Sequence, residues 1–527
     1  MSAPHNDPRM TDRHPPAAPG TIDRARGAVF EARRKDWRVG ATTYHVMVDR
    51  FTQSLDIDAK RHLYAEPRRL MKWSEDPTRG ERLEEHNINE QELQFWGGDL
   101  RSLRTGLDHI QRLGASVLYL NPIQDAFSNH KYDANDWGAI SPEFGTHDDL
   151  IELIKDLDSR KMRLVLDGVF NHIGRRSPKF QAALANPGAP ERAWFRFGDE
   201  HKHGYRAWHD AANLPEVDMD HPEVRRAVFD GPDSVIRKYL RAGVSGWRLD
   251  VAYDYGHAIL EEITRAVHFE REDALVIGEI WNYPDGWHPS IDAIMNFYVR
   301  ELTLNLLRSE LPGHGPAMGR ALGRMIEDLS ATPGGYDYLL RSWLILDNHD
   351  TGRLATVIPD PRKRLIAQVL QFTLPGAPLV FYGGVAGLSG GHEPLCRGPM
   401  RWQRAKPVHE ENDRLARIVQ IRSQSEALRI GDFKVLDAEH CLAYSRTTDR
   451  WRDTVIVLIN ATDRDAREAV PHRDGKLMGH CPMVDALSGE DVRTEAGLVH
   501  VTVPAWSAMV LRPADTAGGY SPYKRIH

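Results

Sequence analysis

Four acidic residues stand where short apolar runs of this sequence end, namely Asp167, Asp250, Glu279 and Asp350. Arg248 lies two residues before Asp250, and His349 directly precedes Asp350. Carboxyl groups can give or take a proton in a reaction, and a guanidinium nearby favours their charged form. Residues two apart on a strand face the same side, so Arg248 and Asp250 are predicted to point the same way. The pattern predicts a catalytic centre built from carboxylates.

Each of these residues also has a simpler alternative. A single acidic residue at the end of a strand often caps the following helix. The stretch LDNHD (346–350), taken alone, could be a polar turn. Four carboxyl groups at the ends of separate strands, two of them with a basic or imidazole neighbour, are hard to explain as caps. Together they favour one shared site.

The apolar runs predict strands, and amphipathic stretches between them, such as 148–162 and 232–243, predict helices. The runs are TTYHVMVD (42–49), SVLYLN (116–121), MRLVLD (162–167), GWRLDV (246–251), LVIGEI (275–280), AIMNF (293–297), WLILDN (343–348) and PLVFYG (378–383). Continuous apolar runs that alternate with helices are typical of buried parallel strands in βαβ units. Eight of them predict an α/β fold with a closed (β/α)₈ TIM barrel, and 293–297 is the weakest run. The active face of such a barrel lies at the strand C-termini, where the four acids stand.

Changes of composition along the chain predict its division into units. Residues 52–95 and 171–225 interrupt the barrel pattern, and the second predicts a small inserted domain after the third strand (domain B). Beyond residue 425, short strands with turn signals predict an antiparallel β-sandwich. The predicted units are a disordered N-terminal arm at 1–40, the catalytic barrel at 41–424, the β-sandwich at 425–514 and a tail at 515–527.

The overall composition excludes several classes of protein. Of 527 residues, 41% are hydrophobic and 27% charged, and 68 Lys and Arg against 75 Asp and Glu give a net charge of −7. That balance argues against nucleic acid or an anionic membrane as the main partner. No stretch approaches the ~18 apolar residues of a membrane span. Three cysteines without a C-x-x-C motif and a polar N-terminus without an apolar signal segment predict a cytoplasmic protein.

Four motifs carry a resemblance to a known family. DGVFNH (167–172), GWRLDVAYD (246–254), GEIW (278–281) and DNHD (347–350) resemble, in this order, the motifs of glycoside hydrolase family 13, the alpha-amylase family. The resemblance covers about residues 41–513. It is greatest to the branch of cyclomaltodextrinases, neopullulanases and maltogenic amylases, here without that branch's N-terminal starch-binding module. It implies a barrel, a domain B after the third strand and a C-terminal β-sandwich.

The resemblance also implies catalytic roles. Asp250 would be the nucleophile, Glu279 the general acid/base, and Asp350 the group that holds the hydroxyls of the distorted sugar. Arg248 would keep Asp250 ionised, and Glu279 would carry a raised pKa until the first step is complete. Asp167 would support the network around Arg248.

Further residues would bind the sugar if the resemblance holds. Tyr132, in the stretch HKYD, resembles the family's stacking platform, since aromatic faces suit the apolar face of a pyranose. His172 and His349 would donate to hydroxyls in the subsite before the cut, and the alternative for each is a neutral histidine packed in the barrel wall.

Two assignments stay more open. Arg353 would touch either substrate or a nearby carboxylate. Trp281, Trp208 and Trp287 would be platforms at the rim of the site, although a position in the core is the alternative for at least one of them.

The implied chemistry requires no cofactor, and the signals for a metal are few. Asn171 matches a position that ligates calcium in many alpha-amylases, and Asp56 and Asp58 lie in a loop where some relatives bind Ca²⁺. A structural Ca²⁺ is therefore one alternative and plain hydrogen bonding the other. Val385 stands where many relatives have Glu, and we expect changed local packing there rather than lost activity.

The sequence thus predicts a retaining glycoside hydrolase that cleaves alpha-1,4-glucosidic bonds in maltooligosaccharides or cyclic maltodextrins, with alpha-1,6 bonds left open. An alpha-glucosidase or an alpha-glucan transglycosylase with the same covalent intermediate is the alternative. A sugar-binding relative without activity is a third hypothesis, and the intact carboxylates argue against it. The expected partner is an alpha-glucan oligosaccharide, and a homodimer is a further hypothesis.

Overall fold

Eight parallel strands form a closed barrel in the computed structural model, which describes residues 21–308, 313–405 and 410–514. The strands are β1 (Thr43–Val46), β2 (Val117–Leu120), β3 (Arg163–Gly168), β4 (Gly246–Leu249), β5 (Leu275–Ile280), β6 (Ala293–Asn296), β7 (Trp343–Leu344) and β8 (Ala377–Phe381). Each strand pairs with its neighbour in sequence, and β1 closes the ring against β8. Every strand overlaps one of the predicted apolar runs, including the weak run at 293–297. The barrel prediction is confirmed.

Packed side chains fill the barrel interior, so it is a core and not a pore. Tyr119, Val165, Ile277 and Trp343 belong to one buried cluster that spans it. At the C-terminal end of the barrel this core becomes polar, because Arg248 on β4 is fully buried there. The register between β4 and β5 pairs Leu249 with Gly278, which places the residues that follow them on adjacent strands.

Helices surround the barrel and alternate with its strands. The longer ones span His147–Ser159, Pro178–Ala185, Val235–Arg241, Gly256–Glu270, Phe297–Arg308, His314–Ser330, Gly335–Arg341, Pro361–Thr373 and Glu410–Gln424. Shorter helices span Leu100–Arg104, Leu107–Arg112 and Glu426–Ile430. Within the described ranges, none of the helices is long and apolar enough to cross a membrane.

The excursion after β1 is built from short elements around a small apolar core. It contains the two-residue strands Arg82–Leu83 and Ile88–Asn89 and a helical turn at Glu90–Leu93. Asn129 holds that turn in place, because its backbone N–H donates to the carbonyl of Glu92 at 2.7 Å. The excursion after β3 packs around aromatic rings of its own and returns as a short antiparallel ladder that pairs His172 with Glu216.

Eight antiparallel strands make up the C-terminal unit. They are β9 (Asp432–Val435), β10 (Leu442–Thr447), β11 (Val455–Asn460), β12 (Ala466–Pro471), β13 (Met483–Asp485), β14 (Asp491–Glu495), β15 (Leu498–Val503) and β16 (Ser507–Pro513). They form one sheet in the order β9-β10-β11-β16-β13-β14-β15-β12. Residues of both halves, such as Ile456 on β11 and Val499 on β15, share one apolar core. The sheet thus encloses its core between its two halves.

The prediction of a disordered arm at 1–40 is wrong for its second half. Residues Thr21–Lys35 form a helix, while 1–20 and the predicted tail 515–527 lie outside the described residues. Phe30 and Val39 are buried in an apolar cluster with Leu340 and Ile430. The charge-rich composition of this segment suggested disorder, because most of the acidic partners of Arg33 and Arg34 lie in distant parts of the chain.

Arg33 joins this N-terminal helix to two other parts of the fold. Its guanidinium pairs with Asp337 and with Asp432, both at 2.8 Å, and is only 7% exposed. Because Arg33→Ala leaves the buried Ile430 carbonyl without the donor that Arg33 Nη1 supplies at 3.0 Å, we expect it to lower the free energy of unfolding by about 2 kcal/mol. Urea unfolding measures this loss. Lys35→Ala is the matched control, since Lys35 is 75% exposed, and we expect a change within about 0.5 kcal/mol.

Candidate active site

A cavity of about 540 Å³ opens at the C-terminal ends of the barrel strands. Of the predicted site residues, it is lined by Tyr132, His172, Trp208, Asp250, Glu279, Trp281, His349 and Asp350. Loops that lie far apart in sequence also contribute to the wall, with Asn89, Gln91, Glu92, His130, Leu214, Val251, Tyr253, Glu393 and Arg397. The structure therefore brings most of the predicted residues into one site.

Arg248 is the centre of the charged floor of this cavity. Its Nη1 donates to Asp167 Oδ1 and to Asp250 Oδ1, each at 2.7 Å. Its Nη2 lies 2.8 Å from Glu279 Oε2. The guanidinium is wholly buried, so it depends on these carboxyl groups for its stabilisation. Asp167 lies beneath the cavity beside Arg248, which is the supporting position predicted for it.

The electrostatics of Asp250 differ from the prediction. Burial, together with the nearby Glu279 and Asp167, raises the pKa of Asp250 well above its ordinary value, although Arg248 acts in the opposite direction. One guanidinium cannot balance three carboxyl groups in a site shielded from water, so the cluster favours holding a proton. The raised pKa shifts Asp250 toward its protonated form in the free site, whereas the sequence predicted an ionised Asp250.

Glu279 accepts two hydrogen bonds in addition to its ion pair with Arg248. The backbone N–H of Val251 donates to Glu279 Oε2 at 3.1 Å, and the indole N–H of Trp281 donates to Oε1 at 3.0 Å. Val251 has φ +43°, a left-handed conformation that a β-branched residue rarely adopts. Backbone strain of this kind concentrates at functional sites, and here it aims the Val251 N–H at the carboxylate.

Asp350 is held by a residue that the sequence analysis missed. Arg397, in the loop after β8, lies 3.3 Å from Asp350 Oδ1 and donates through Nε to the carbonyl of His349 at 2.8 Å. Glu393 in turn pairs with Arg397 at 2.5 Å. The available signal was a basic and an acidic residue four apart in a Gly- and Pro-rich loop at a strand C-terminus.

Tyr132 and His349 form one wall of the cavity. Their rings stack with centroids 5.2 Å apart and an angle of 8° between their planes. Burial lowers the pKa of His349 well below its usual value, and it lowers the pKa of His172 to about 4. Both rings are therefore neutral at ordinary pH, as in the core-histidine alternative, yet both also line the cavity.

The excursion after β1 supplies a further polar wall. Glu92 Oε2 lies 3.1 Å from His130 Nε2, and the other oxygen accepts from the backbone N–H of Asn89 at 2.9 Å. Burial would raise the pKa of Glu92, but His130 and Asn89 outweigh it and the pKa is lowered. An ionised carboxylate thus borders the cavity beside His130, next to the Tyr132 platform.

The three tryptophans differ in position. Trp281 is 47% exposed at the mouth, where its ring stacks on Phe297 at 3.6 Å. Trp208 lines the cavity and stacks on His172 at 5.5 Å. Trp287 does not line it and packs against His257. Rim platforms therefore remain predictions for Trp281 and Trp208 only.

Arg353 does not lie at the cavity. It is fully buried below it, donates to the carbonyls of Cys396 and Tyr382, and lies over the ring of Phe381. The prediction that it touches substrate does not fit this position. The hydrogen bonds of Arg353 go to backbone carbonyls, and its charge acts on the nearby Asp347, whose pKa burial raises and Arg353 lowers.

The calcium candidates are occupied by local contacts. Asp56 caps the short helix Ile57–Lys60 by accepting from Ala59 N at 3.2 Å, and Asp58 pairs with Arg61 at 2.7 Å. Asn171 does not line the cavity; its backbone carbonyl accepts from Val217 N–H, while its buried Nδ2 has no hydrogen-bond partner among the described residues. In the described part of the chain, no group of three or more His, Cys, Asp or Glu side chains is arranged to hold a metal.

Val385 lies in the helical turn Gly384–Ala386 after β8 and is buried in the main apolar core. It is not part of the cavity wall. The effect of having Val there, where many relatives have Glu, remains a prediction of changed packing.

This site is characteristic of the barrel glycosidases, in which carboxyl groups from neighbouring strands face one sugar-sized cavity. Comparison with known families agrees with the geometry. The family described as "Alpha amylase, catalytic domain" matches residues 46–451. The chain therefore belongs to the alpha-amylase family of glycoside hydrolases.

Two curated relatives and one solved structure illustrate the branch. A cyclomaltodextrinase of Geobacillus thermopakistaniensis (strain MAS1) is 30% identical over 485 residues, which is 89% of this chain and 76% of the relative. An intracellular maltogenic amylase of Bacillus subtilis (strain 168) is 28% identical over 430 residues, which is 79% of this chain and 67% of the relative. The cyclic alpha-maltosyl-(1→6)-maltose hydrolase of Arthrobacter globiformis, in complex with maltose, has a TM-score of 0.73 and 27% identity, and the match covers 90% of this chain and all of that one.

Arg397 provides a test of the wall around Asp350. A planar guanidinium can hold Asp350, Glu393 and the His349 carbonyl together, and an ammonium group cannot reproduce that geometry. We expect Arg397→Lys to lower kcat/KM on maltotriose about 100-fold, a cost of about 2.7 kcal/mol. Arg401→Lys is the control, because Arg401 lies in the same loop but pairs with Asp76 away from the cavity. Equal losses in both variants would contradict the assignment.

Proposed function

We propose that this protein is a retaining glycosidase that hydrolyses alpha-1,4-glucosidic bonds in maltooligosaccharides or cyclic maltodextrins through a covalent glycosyl-enzyme. The observation that carries the proposal is the placement of Asp250 and Glu279 at the ends of adjacent strands, both against Arg248. Neighbouring strands lie about 4.8 Å apart. That spacing favours the ~5–5.5 Å carboxyl separation of retaining enzymes over the longer one of inverting enzymes.

In the proposed first step, a carboxylate oxygen of Asp250 attacks the anomeric carbon and Glu279 gives its proton to the leaving oxygen. The sugar C–O bond breaks as the Asp250 ester forms. In the second step Glu279 takes a proton from water, whose oxygen attacks the same carbon and releases Asp250. The first step requires an ionised Asp250 and a protonated Glu279, so the proton that the cluster around Arg248 favours must lie on Glu279 when the sugar is cut.

Asp350 and the neutral histidines would bind the sugar being cut. Asp350 Oδ2 lies 3.1 Å from His349 Nε2, so a carboxylate acceptor and an imidazole meet at the same side of the cavity. Sugar hydroxyls both donate and accept, and such a pair suits two adjacent hydroxyls. The Tyr132 ring beside them would pack on the apolar face of the pyranose.

The names of the relatives support alpha-glucans as the substrate class, and the name of one relative supports the cytoplasm as the compartment. The curated relatives are a cyclomaltodextrinase and an intracellular maltogenic amylase, and we infer small alpha-glucans as substrates and the cytoplasm as the compartment. All three cysteines are buried, and burial of cysteine side chains is compatible with a reducing compartment. The homodimer stays a prediction, which sedimentation of the purified chain tests.

Product analysis tests the proposal directly. Maltotriose, beta-cyclodextrin, pullulan, panose and soluble starch are incubated with the wild-type protein, and the products are separated by chromatography. We expect small or cyclic substrates to be cut well ahead of starch, with the anomeric configuration retained in the first product. Longer oligosaccharides at high substrate concentration would identify a transglycosylase instead. Absence of cleavage of every substrate by folded protein would refute the proposal.

A further inference from the structure

We propose that His45, on β1, is a positioning residue that acts on the active site through Asn121 and the hydroxyl of Tyr132. His45 does not line the cavity and is fully buried in the barrel. Its Nε2 lies 2.8 Å from Asn121 Oδ1, and Asn121 Nδ2 lies 2.8 Å from Tyr132 Oη. This inference rests on the proposed function, because part of its test is a rate of glucan hydrolysis.

The direction of this hydrogen-bond chain follows from its end at Asp167. Asp167 accepts from Arg248 Nη1 on Oδ1 at 2.7 Å and from the Tyr119 hydroxyl on Oδ2 at 2.6 Å, so both of its oxygens act as acceptors. Tyr132 Oη lies 2.7 Å from Asp167 Oδ2, so the Tyr132 hydroxyl must give its proton to Asp167. Because a hydroxyl has one proton, the Tyr132 hydroxyl can then only accept hydrogen bonds from its other neighbours.

The same reasoning fixes Asn121 and His45. Because Tyr132 Oη can only accept from Asn121, the Asn121 amide nitrogen must face it and the amide oxygen must face His45. That oxygen can only accept, so His45 must carry its proton on Nε2. Burial lowers the pKa of His45 well below its usual value, which keeps the ring neutral with a bare Nδ1. His45 is thus the donor at the start of the chain.

The chain also determines the proton at His349. His349 Nε2 lies 2.6 Å from Tyr132 Oη, which has already given its proton to Asp167. His349 must therefore donate from Nε2, and its Nδ1 must be bare. His349 Nδ1 is indeed buried without a hydrogen-bond partner among the described residues. The N–H that faces Asp350 at 3.1 Å is thereby fixed on the cavity side of the ring.

Loss of the His45 donor would allow the hydrogen bonds of this chain to change direction. Without it the Asn121 amide can turn over, the Tyr132 hydroxyl can give its proton to Asn121, and Asp167 then loses a donor. The hydrogen bonding of Arg248 and His349 would change as a result, although neither residue forms a hydrogen bond with His45. The rate should suffer more than substrate binding, because the groups affected face the reacting sugar.

Three variants test the role of His45 in the rate. The His45 ring packs against Tyr119 at 4.4 Å and Phe381 at 4.7 Å, so His45→Phe keeps a packed ring and removes the donor. We expect His45→Phe to lower kcat on maltotriose about 10-fold, as for one lost buried hydrogen bond, with KM changed less than about 3-fold. His45→Gln keeps an N–H donor and should restore most of the rate. Thr43→Val is the matched control on the same face of β1, since the buried Thr43 hydroxyl has no hydrogen-bond partner among described residues.

A double-mutant cycle separates this role from a general structural one. If His45 acts through the Tyr132 hydroxyl, His45→Phe should have almost no further effect in the Tyr132→Phe background. The proposal would be overturned if the decrease in kcat of the double variant equalled the product of the two single decreases. An unchanged kcat in His45→Phe would also overturn it. A lowered rate in both His45→Gln and His45→Phe, with equal loss of thermal stability, would also overturn it.

Neutron diffraction tests the same inference without any activity. We expect deuterium on Nε2 and none on Nδ1 in both His45 and His349 of the wild-type protein. Deuterium on Nδ1 of either ring would refute the proposed proton directions. If the wild type fails to hydrolyse every glucan, the proposed function fails while the neutron result still decides this inference.

Discussion

Asp250→Asn is expected to lower kcat for maltotriose on the order of 10⁴-fold, because an amide cannot form the ester to the anomeric carbon. The amide oxygen can still accept from Arg248, so the floor of the cavity should keep its shape. The measurement is the release of glucose and maltose by the purified variant. Asp254→Asn is the matched control, because Asp254 lies in the same loop and its carboxyl group accepts from the Trp208 indole at 3.1 Å. We expect its kcat within about 10-fold of wild type.

Although Asp250→Asn should lose activity, its stability relative to the wild type should increase with pH. The pKa of Asp250 is raised in the folded protein, so its stabilising contribution is present below about pH 4, the unfolded value, and is lost as pH rises through the folded pKa. Asn does not titrate and escapes that loss. The melting temperature of Asp250→Asn relative to wild type should therefore increase with pH from 4 upward. A difference that decreases with pH would contradict the raised pKa.

The decrease in kcat/KM caused by Glu279→Gln should depend on the leaving group of the substrate. A glucosyl leaving group needs the proton of Glu279, whereas fluoride leaves without one. We expect kcat/KM on maltotriose to decrease about 10³-fold and kcat/KM on alpha-maltosyl fluoride to change less than about 10-fold. Steady-state kinetics on the two substrates measure this contrast. Equal losses on both substrates would mean that Glu279 is not the general acid.

Azide distinguishes the roles of the two carboxyl groups by product configuration. In Asp250→Ala, azide would take the place of the nucleophile and attack alpha-maltosyl fluoride directly, which gives the beta-azide. In Glu279→Ala, azide would attack the glycosyl-enzyme, which gives the alpha-azide. The reverse pattern would exchange the two assignments.

The barrel was predictable because its signals are local. Each strand is a continuous apolar run, and even the weak run at 293–297 became β6. The N-terminal helix at Thr21–Lys35 was missed because its stability depends on Arg33 meeting Asp337 and Asp432, residues about 300 and 400 positions away. No window along the chain contains such a contact.

The sequence by itself determined the residues that carry the proposed chemistry. Asp250, Glu279 and Asp350 stand in motifs whose order along the chain identified the family, and the strand period placed Arg248 on the same side as Asp250. Residue type and spacing were sufficient, because these side chains lie at the ends of regular strands.

Only the tertiary structure decided the environment of those residues. It showed that Arg397 pairs with Asp350, because the loop after β8 brings Arg397 to the cavity, whereas Arg353, in the loop after β7, donates to backbone carbonyls in the core. It also raised the pKa of Asp250, since charge balance and burial depend on three strands meeting around one guanidinium. Motifs specify which groups are present, but distances between separate segments determine protonation and partners.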